Sequence, residues 1–275
     1  MTNRNGWYKK ECYNVKERNF YQGGRNMQQK RVAVITGGAS GIGKETALKF
    51  AQKGDAVVIA DYDKGKGKEA LQKIEEAGGS ALFVQTDVTK FEEVEALIEE
   101  TVNRFGRIDV MFNNAGIGHP TSILDQDLEE YHRIINVNQH GVTYGIMAAG
   151  RKMRELGIKG VIINTASIFS FLASPGTYAY HATKGAVVMM TKSAALDLAK
   201  YGIRVVAVAP GFVDTPIIQG YKDNGMIEGM KAKTMSRELT APKQIADMVY
   251  LLSLEEAGAV NGSVIMADDG YAAFK

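Results

Sequence analysis

Short apolar runs rich in β-branched residues alternate with longer amphipathic stretches from residue 31 onward. Near-continuous apolar segments of this length are typical of strands buried on both faces of a sheet. The runs are RVAVIT (31–36), AVVIAD (56–61), ALFVQTD (81–87), IDVMFNNAG (108–116), GVIINTAS (160–167), IRVVAVAPG (203–211) and SVIMADDG (263–270). The stretches between them have helical spacing and glycine at or near their ends. Because parallel strands need crossover helices, the pattern predicts an α/β fold: one doubly wound domain over residues 30–275, with seven parallel strands flanked by helices.

The one irregular stretch, residues 212–240, lies between the sixth and seventh predicted strands. It is rich in glycine and methionine and has little periodicity. In α/β sheets ligands bind at the carboxyl ends of the strands, where a long segment often serves as a lid. We therefore expect a lid here, with an ordinary surface loop as the alternative.

Composition narrows the choice of function only slightly. Of the 275 residues, 45% are hydrophobic and 23% are charged, as in ordinary globular proteins. Cys12 is the only cysteine, so no internal disulfide or thiolate metal site is expected, which favours the cytoplasm. No apolar run reaches the length of about 18 residues that a membrane span needs. Six basic and two acidic residues give residues 1–29 a charge of +4 and leave −2 for the rest, which provides no argument for nucleic-acid binding.

Residues 1–29 form an N-terminal extension without apolar periodicity. One hypothesis is that residues 1–26 are not natural protein, since Gly23-Gly24-Arg25-Asn26 can be encoded by a ribosome-binding sequence ahead of a start codon for Met27. The other hypothesis is an ordered arm, in which the aromatic side chains of this extension pack over a neighbouring subunit or over the mouth of an active site.

A glycine-rich loop, TGGASGIG (36–43), directly follows the first predicted strand and opens the first helix. Gly37 permits a tight turn, Gly41 lets the backbone approach a pyrophosphate, and Gly43 allows close packing of helix on strand. The helix N-terminus offers free N–H groups to phosphates. In this context the loop predicts a dinucleotide site.

The acidic residues at the ends of the second and third strands bear on the choice of dinucleotide. Asp61 lies 18 residues beyond Gly43, where a carboxylate accepts hydrogen bonds from a ribose diol and repels a 2′-phosphate. No arginine or lysine occurs within residues 36–43. We therefore expect NAD(H) rather than NADP(H), with Asp87 and Val88 bracketing the adenine.

The heptapeptide YAYHATK (178–184) contains two tyrosines, of which one has a cation beside it. On a helix Tyr180 lies next to Lys184, four residues on, whereas Tyr178 has Ala182 at that offset. A tyrosine with a pKa of about 10 needs such a positive neighbour to act as a base near neutrality. This makes Tyr180 the candidate acid/base.

Together these motifs resemble the short-chain dehydrogenase/reductase family. The resemblance covers residues 31–275, in the family's order and approximate spacing, and rests on TGGASGIG, Asp61, NNAG (113–116), Asn138 in INVNQHG, Ser167 in NTAS, Tyr180 and Lys184 in YHATK, and PGFVDT (210–215). It implies a Rossmann-like fold and an NAD-dependent enzyme. The cofactor-binding residues implied are Gly37, Ser40, Gly41, Ile42, Gly43, Asp61, Asp87, Val88, Asn114, Ala115, Gly116, Tyr180, Lys184, Pro210, Gly211, Val213 and Thr215.

The resemblance also implies a catalytic set that transfers hydride between a nicotinamide and a carbinol or carbonyl carbon. Tyr180 resembles the acid/base, and Ser167 the serine that hydrogen-bonds the substrate oxygen. Asn138 resembles the asparagine that links a water to Lys184 and so to a proton path. His119, His132 and His140 lack metal-ligand spacing, so we predict no metal. The family often ends in DGG, whereas this chain reads ADDGYAAFK (267–275).

The substrate stays open between two classes. Residues 144–167 resemble acetoin and diacetyl reductases, while the methionine-rich segment and PGFVDTPII suit a bulky hydrophobic ligand, as in hydroxysteroid dehydrogenases; we favour the bulkier ligand. A 3-oxoacyl substrate and a non-catalytic NAD-binding regulator are further alternatives. The resemblance implies a homotetramer, and two apolar crossover helices, about residues 126–156 and 178–200, suit a helix-mediated interface.

Overall fold

A computed structural model of the chain describes residues 30–273, which contain one sheet of seven parallel strands with helices on both faces. The strands are β1 (Val32–Thr36), β2 (Ala56–Asp61), β3 (Ser80–Gln85), β4 (Val110–Asn113), β5 (Val161–Thr165), β6 (Arg204–Pro210) and β7 (Val264–Ala267). The helices are α1 (Gly41–Gln52), α2 (Lys64–Glu76), α3 (Phe91–Phe105), α4 (Leu128–Ile135), α5 (Gly141–Leu156), α6 (Tyr178–Leu198), α7 (Gln219–Asp223), α8 (Ile227–Lys231) and α9 (Pro242–Leu252). The predicted extension, residues 1–29, lies outside the described residues.

The strand order is β3-β2-β1-β4-β5-β6-β7, with every neighbouring pair parallel. The chain runs outward from β1 to β3 and then crosses back to β4, which pairs with the other side of β1. The strand order therefore reverses between β1 and β4, and ligands of such sheets bind beside this point, outside the carboxyl ends of the strands. The predicted doubly wound, Rossmann-like α/β fold is confirmed.

Two apolar layers explain why the strands read as continuous hydrophobic runs. In β1, Val34 belongs to the layer under α3, α5 and α6, while Ile35 belongs to the layer under α1, α2 and α9. Both side chains are fully buried. Because successive strand residues point to opposite faces, a sheet covered on both sides needs an apolar residue at nearly every position.

Some element boundaries differ from those predicted. The fourth strand covers only residues 110–113 of the apolar run 108–116, because residues 114–116 leave the sheet as a loop. The third strand ends at Gln85, so Asp87 lies two residues beyond it. The fourth crossover helix is interrupted by a π-helical turn, Asn136–His140, between α4 and α5.

The segment 212–240 is more regular than its sequence suggests. It contains a 3-10 turn, Pro216–Ile218, followed by the short helices α7 and α8. We call residues 212–240 the lid segment. Of the helices in residues 30–273, none is both long enough and apolar enough to cross a membrane.

Candidate active site

The glycine-rich loop has the backbone that its sequence predicts. Gly37 and Gly41 have φ values of +62° and +50°, which only glycine adopts easily. A Cβ on Gly43 would lie 2.1 Å from the carbonyl oxygen of Gly37, so the helix could not approach the loop with any side chain there. Ser40 is the N-cap of α1 but its side chain makes no capping hydrogen bond, and the first turn contains no acidic residue. The free N–H groups and positive helix end therefore suit the phosphates of a dinucleotide.

A threonine not singled out from the sequence fastens this loop to the NNAG segment. The Thr36 hydroxyl accepts hydrogen bonds from the backbone N–H groups of Asn114 (3.0 Å) and Ala115 (3.1 Å). In return, the Asn114 side chain donates to the carbonyl oxygens of Thr36 (3.0 Å) and Gly37 (3.3 Å). Since β1 and β4 are neighbours, these bonds fix the two loops that flank the point of strand reversal.

Asp61 lies at the end of β2 with both carboxylate oxygens held. Its Oδ2 accepts the N–H of Ala39 in the glycine-rich loop at 3.0 Å, and its Oδ1 accepts the N–H of Asp63 at 3.0 Å. A carboxylate oxygen can accept more than one hydrogen bond, so both retain capacity for a hydroxyl donor. The nearby Lys66 is paired with Asp63 at 3.1 Å.

Asp87 and Val88 follow β3 and are less open than the sequence suggests. The Oδ1 of Asp87 accepts the N–H and the hydroxyl of Thr89, at 3.0 and 2.7 Å. Val88 is buried and packs against α5, where a Cβ on Gly141 would lie 3.0 Å from its side chain. Both residues follow the carboxyl end of β3.

The end of β6 meets the glycine-rich loop. A Cβ on Gly41 would lie 3.2 Å from the Thr215 side chain, so Thr215 lies directly against the phosphate loop. Gly211 contacts the backbone of Asp268, which a Cβ would approach to 2.8 Å. Pro210 and Val213 are buried, and Ile42 is partly buried against the α1 side of the core.

Helix α6 places the two tyrosines of YAYHATK in different surroundings, as their spacing from Lys184 predicts. Tyr178 is the first helical residue and is 53% exposed. Tyr180 lies one turn from Lys184, whose Nζ is 5.5 Å from the centre of the Tyr180 ring. Lys184 is only 3% exposed, and its ammonium group donates a hydrogen bond to the carbonyl oxygen of Thr165 at 2.7 Å.

Burial dominates the ionisation of both residues. It raises the pKa of Tyr180 to about 12, while a hydrogen bond from Ser167 lowers that pKa in part and Tyr221 of the lid segment raises it further. Burial also lowers the pKa of Lys184 to about 8. The side chain of Tyr180 is partly exposed as a whole, but its hydroxyl is desolvated. The sequence predicts that Lys184 and a positive nicotinamide ring together favour the phenolate; among the groups of this chain, burial has the largest effect on the pKa of Tyr180 and raises it.

Ser167 is held at the carboxyl end of β5 by a short 3-10 turn. Its hydroxyl accepts the N–H of Phe169 at 3.2 Å, and its own N–H donates to the Ser170 hydroxyl at 3.2 Å. The Ser170 hydroxyl donates in turn to the backbone carbonyl of Lys184 at 2.8 Å. Ser170, absent from the predicted set, therefore ties the β5 loop to α6.

Asn138 lies in the π-helical turn and is fully buried. Its side chain forms a two-bond clamp on the backbone of Ile117, accepting the N–H and donating to the carbonyl, both at 2.8 Å. A Cβ on Gly116 would lie 3.4 Å from Asn138 Oδ1 and 3.8 Å from Lys184 Nζ. The amide and the ammonium group thus approach the same glycine. Asn138, Ser167, Tyr180 and Lys184 are brought together at one end of the sheet.

The residues near the C-terminus fasten the lid segment. Asp269 accepts the N–H and the hydroxyl of Ser236 through Oδ2, at 2.9 and 2.6 Å, and its carbonyl accepts the N–H of Met235 at 2.9 Å. Two residues on, Tyr271 packs edge-on against Phe212 with a centroid distance of 5.1 Å. The sequence ADDG, in place of DGG, therefore has a local role within this subunit.

A cavity of about 480 Å³ opens beside the tyrosine helix. Its lining is mostly apolar and comes largely from the segment between Ser167 and Tyr180: Ile123, Phe169, Ser170, Phe171, Leu172, Ala173, Ser174, Gly176, Thr177, Tyr178 and His181. The cavity is largely open to solvent, and Ser167 and Tyr180 adjoin its lining residues in sequence without belonging to them.

The three histidines His119, His132 and His140, which lack metal-ligand spacing in the sequence, are exposed. Between residues 30 and 273, no group of three or more histidine, cysteine, aspartate or glutamate side chains could hold a metal ion.

Comparisons with known proteins agree with this architecture. A family model described as enoyl-(acyl carrier protein) reductase matches residues 37–272. The 3beta-hydroxysteroid dehydrogenase 2 of Eggerthella lenta is 35% identical over 248 residues, covering 89% of this chain and 95% of that protein. The NADP-dependent (R)-specific alcohol dehydrogenase of Lentilactobacillus kefiri is 35% identical over 245 residues, covering 88% and 97%. A crystal structure of a short-chain type dehydrogenase/reductase from Mycobacterium marinum superposes with a TM-score of 0.85 at 32% identity, covering 88% of this chain and 95% of that one.

The chain belongs to the short-chain dehydrogenase/reductase family. Its members bind a nicotinamide cofactor, and the chain is an oxidoreductase of alcohol, ketone or 3-oxoacyl substrates.

Proposed function

We propose that this protein is an NAD(H)-dependent dehydrogenase that interconverts a secondary alcohol and a ketone, with a bulky, apolar, hydroxysteroid-type compound as substrate. The observation that carries the proposal is the meeting of Ser167 and Lys184 at Tyr180, through a hydrogen bond and across 5.5 Å respectively. A carbonyl oxygen placed beside Tyr180 and Ser167 would have two hydroxyl groups within reach.

The ionisation of Tyr180 suits acid catalysis in the reducing direction. With a pKa of about 12 it keeps its proton at neutral pH and can donate it to the oxygen of a ketone as that oxygen gains negative charge. Lys184, protonated below pH of about 8, stabilises the phenolate that remains. When bound, the nicotinamide supplies or accepts the hydride and, in its oxidised form, adds a positive charge to the site. Alcohol oxidation therefore depends on that added charge, because Lys184 alone leaves the pKa of Tyr180 high.

Asp61 supports the choice of NAD(H). The N–H groups of Ala39 and Asp63 fix the carboxylate beside the glycine-rich loop, where it would accept bonds from ribose hydroxyl groups. A 2′-phosphate at that position would meet the carboxylate at close range. Lys66, the cation beside it, is already paired with Asp63.

The apolar surroundings of the cavity support a bulky substrate. An apolar cluster that includes Ile168, Phe212, Ile218, Met230 and Tyr271 joins the lid segment to the loop after β5, and Phe169 and Leu172 of the cavity lining pack against it. A two- to four-carbon ketone would leave most of the cavity of about 480 Å³ unfilled. The hydroxysteroid dehydrogenase among the relatives agrees with this substrate class.

A small ketone or a 3-oxoacyl compound is the second candidate substrate. The alcohol dehydrogenase relative and the description of the family model favour it. However, the chain carries Asp125, Asp127 and Glu129 at the start of α4, shortly after the cavity residue Ile123, which disfavours docking of an acidic carrier there. A non-catalytic NAD-binding regulator is a further alternative, but binding of the nucleotide alone would not require Ser167 to lie beside Tyr180.

The deciding experiment follows NADH oxidation at 340 nm with a panel of ketones spanning ketosteroids, diacetyl, acetoin, 3-oxoacyl thioesters and sugars. Wild-type protein runs beside Tyr180→Phe, and NADPH replaces NADH in a parallel series. Turnover of ketosteroids with NADH, abolished in the variant, is the expected result. Tight NADH binding with no turnover of any ketone would instead favour the regulator.

We further propose a cytoplasmic homotetramer. Met147 on α5 and Met189 and Leu196 on α6 are 37%, 61% and 81% exposed. Apolar side chains on two adjacent long helices suit a helix-mediated contact between subunits. Sedimentation equilibrium of the wild type should give four chains per particle, and Leu196→Glu should reduce that number.

A further inference from the structure

His181, the residue after the candidate acid/base, fastens the loop that lines the cavity. We call residues 171–177 the substrate wall. The His181 Nδ1 lies 2.6 Å from the carbonyl oxygen of Thr177, and its Nε2 lies 2.9 Å from the carbonyl oxygen of Leu172. The N–H of Ser174 also points at Nε2, at 3.1 Å. One imidazole thus contacts the start, middle and end of the wall.

These three contacts cannot all be hydrogen bonds in one protonation state. A carbonyl oxygen only accepts, so a bond from Nδ1 to Thr177 requires a proton on Nδ1. In the neutral ring Nε2 then has a lone pair, which accepts the N–H of Ser174 but faces the oxygen of Leu172 without a proton between them. In the cationic ring both nitrogens donate to carbonyls, and the N–H of Ser174 loses its acceptor. Protonation therefore exchanges one wall contact for another.

The His181 ring packs against an aromatic side chain that also contacts Tyr180. Phe169 packs on the ring at 5.1 Å and also contacts Tyr180 edge-on at 6.4 Å, which joins His181 to the reaction centre. Within residues 30–273 no carboxylate forms a salt bridge with His181. The titratable groups on the first two turns of its own helix are Tyr178, Tyr180 and Lys184. Tyr131 of α4 packs on Tyr178 at a centroid distance of 6.4 Å, and Tyr221 of the lid segment faces Tyr180.

We propose that His181 is a positioning residue for substrate binding, which holds the substrate wall through Ser174 when neutral and through Leu172 when protonated. The inference rests on the proposed function in one respect, that the cavity receives the substrate. In the neutral state the wall keeps the form that binds a bulky ketone. When the ring takes up a proton, the partner of Nε2 changes from the N–H of Ser174 to the carbonyl of Leu172, so residues 172–174 rearrange and the cavity changes shape.

The first test follows the amide of Ser174 by ¹H–¹⁵N NMR in the full chain without cofactor or substrate. Between pH 8 and pH 5 its resonance should move in the wild type and stay still in His181→Gln. His132→Gln, at an exposed histidine on α4, should behave as the wild type. A static Ser174 amide in the wild type, or the same movement in His181→Gln, would overturn the inference. This readout needs no catalysis, so it stands apart from the proposed function.

The second test separates KM from kcat. For a bulky ketone, wild-type KM should rise about fivefold from pH 8 to pH 5.5, as loss of one hydrogen bond would cause, with little change in kcat. His181→Gln, whose amide can still accept the Ser174 N–H, should keep a low KM across that range, and His181→Ala a high one. If KM depends on pH equally in the wild type and in His181→Gln, His181 is not the group responsible. If no ketone is reduced by the wild type, the proposed function fails and the NMR titration decides the inference.

Discussion

The ammonium group of Lys184 donates a hydrogen bond to the carbonyl oxygen of Thr165, 2.7 Å away at the carboxyl end of β5. This bond fixes a buried cation beside Tyr180 although no carboxylate pairs with it in the described part of the chain. Since an unpaired charge is costly to bury, the arrangement indicates that stability is given up for function here.

Removing that charge should make the protein more stable. Burial lowers the pKa of Lys184 from 10.5 to about 8, which corresponds to a penalty of about 3 kcal/mol for the charged form at pH 7. Lys184→Met removes the penalty but leaves the Thr165 carbonyl unpaired, which costs about 1–2 kcal/mol. Urea unfolding at pH 7 should therefore show a net gain of about 1–2 kcal/mol, together with loss of activity.

The pH dependence of that gain provides the check. Between pH 8 and 10.5 the unfolded lysine still holds its proton while the folded one has lost it, so wild-type stability rises with pH in this window. The advantage of Lys184→Met should shrink by about pH 9, where ordinary tyrosines with a pKa of about 10 are still largely protonated. A variant that is less stable at pH 7, or whose advantage is constant with pH, would contradict this account.

The two tyrosines of YAYHATK provide a matched pair of variants. Tyr180→Phe should lower kcat/KM for ketone reduction by about 10²- to 10⁴-fold, the usual contribution of a positioned acid. Tyr178→Phe removes a hydroxyl from a side chain that is 53% exposed at the edge of the cavity and should lower kcat/KM far less than Tyr180→Phe. Steady-state kinetics of both variants with NADH measure the difference; equal losses would mean that the hydroxyl of Tyr180 has no special role.

Cofactor preference should depend on one carboxylate. Asp61→Asn keeps an acceptor for the N–H of Ala39 but removes the charge that opposes a 2′-phosphate, so the NADPH/NADH ratio of kcat/KM should rise at least about tenfold. Glu69→Gln removes an exposed charge on α2 near the same loop and leaves Lys66 paired with Asp63. If Glu69→Gln changes the ratio as much as Asp61→Asn, the effect is general electrostatics rather than recognition by Asp61.

The Thr36 hydroxyl should contribute to stability through the two N–H groups that it accepts. Thr36→Val has nearly the same shape but leaves the N–H groups of Asn114 and Ala115 without partners, which should lower the free energy of unfolding by about 2–4 kcal/mol. Thr36→Ser keeps the hydroxyl and should lose far less. Chemical denaturation of the two variants gives the comparison, and similar losses would attribute the effect to the methyl group.

The bond between Asp269 and Ser236 should govern the mobility of the lid segment. Asp269 has a φ of +48°, which asparagine tolerates, so Asp269→Asn weakens the acceptor without straining the backbone. Hydrogen exchange of the Met235 and Ser236 amides should become faster in this variant, and less so in Ser236→Ala, which loses only the hydroxyl bond. Unchanged exchange in Asp269→Asn would show that Tyr271 and its apolar contacts hold the segment alone.

Hydrophobic periodicity and residue spacing predict the seven strands and the residues near their carboxyl ends, because both patterns depend on local burial. The seven strands, the position of Asp61 at the end of β2 and the separation of Tyr178 from Tyr180 all follow from alternation or from the helical repeat. The pairing of Asp269 with Ser236, 33 residues apart, leaves no local pattern, since it depends on how β7 brings the C-terminal residues beside the lid segment. The high pKa of Tyr180 could not be predicted from the sequence either, because it results from the exclusion of solvent by residues distant in sequence.

The π-helical turn at residues 136–140 makes the site sensitive to chain length at one point. A π turn contains one residue more than the α-helical turn it replaces. Deletion of a single codon within it would restore a continuous α-helix, and the side chains inside the turn, Asn138 among them, would take new positions around the helix axis. The clamp of Asn138 on Ile117 would then be lost. A frame-preserving deletion could thus inactivate the enzyme while Ser167, Tyr180 and Lys184 remain in the gene unchanged.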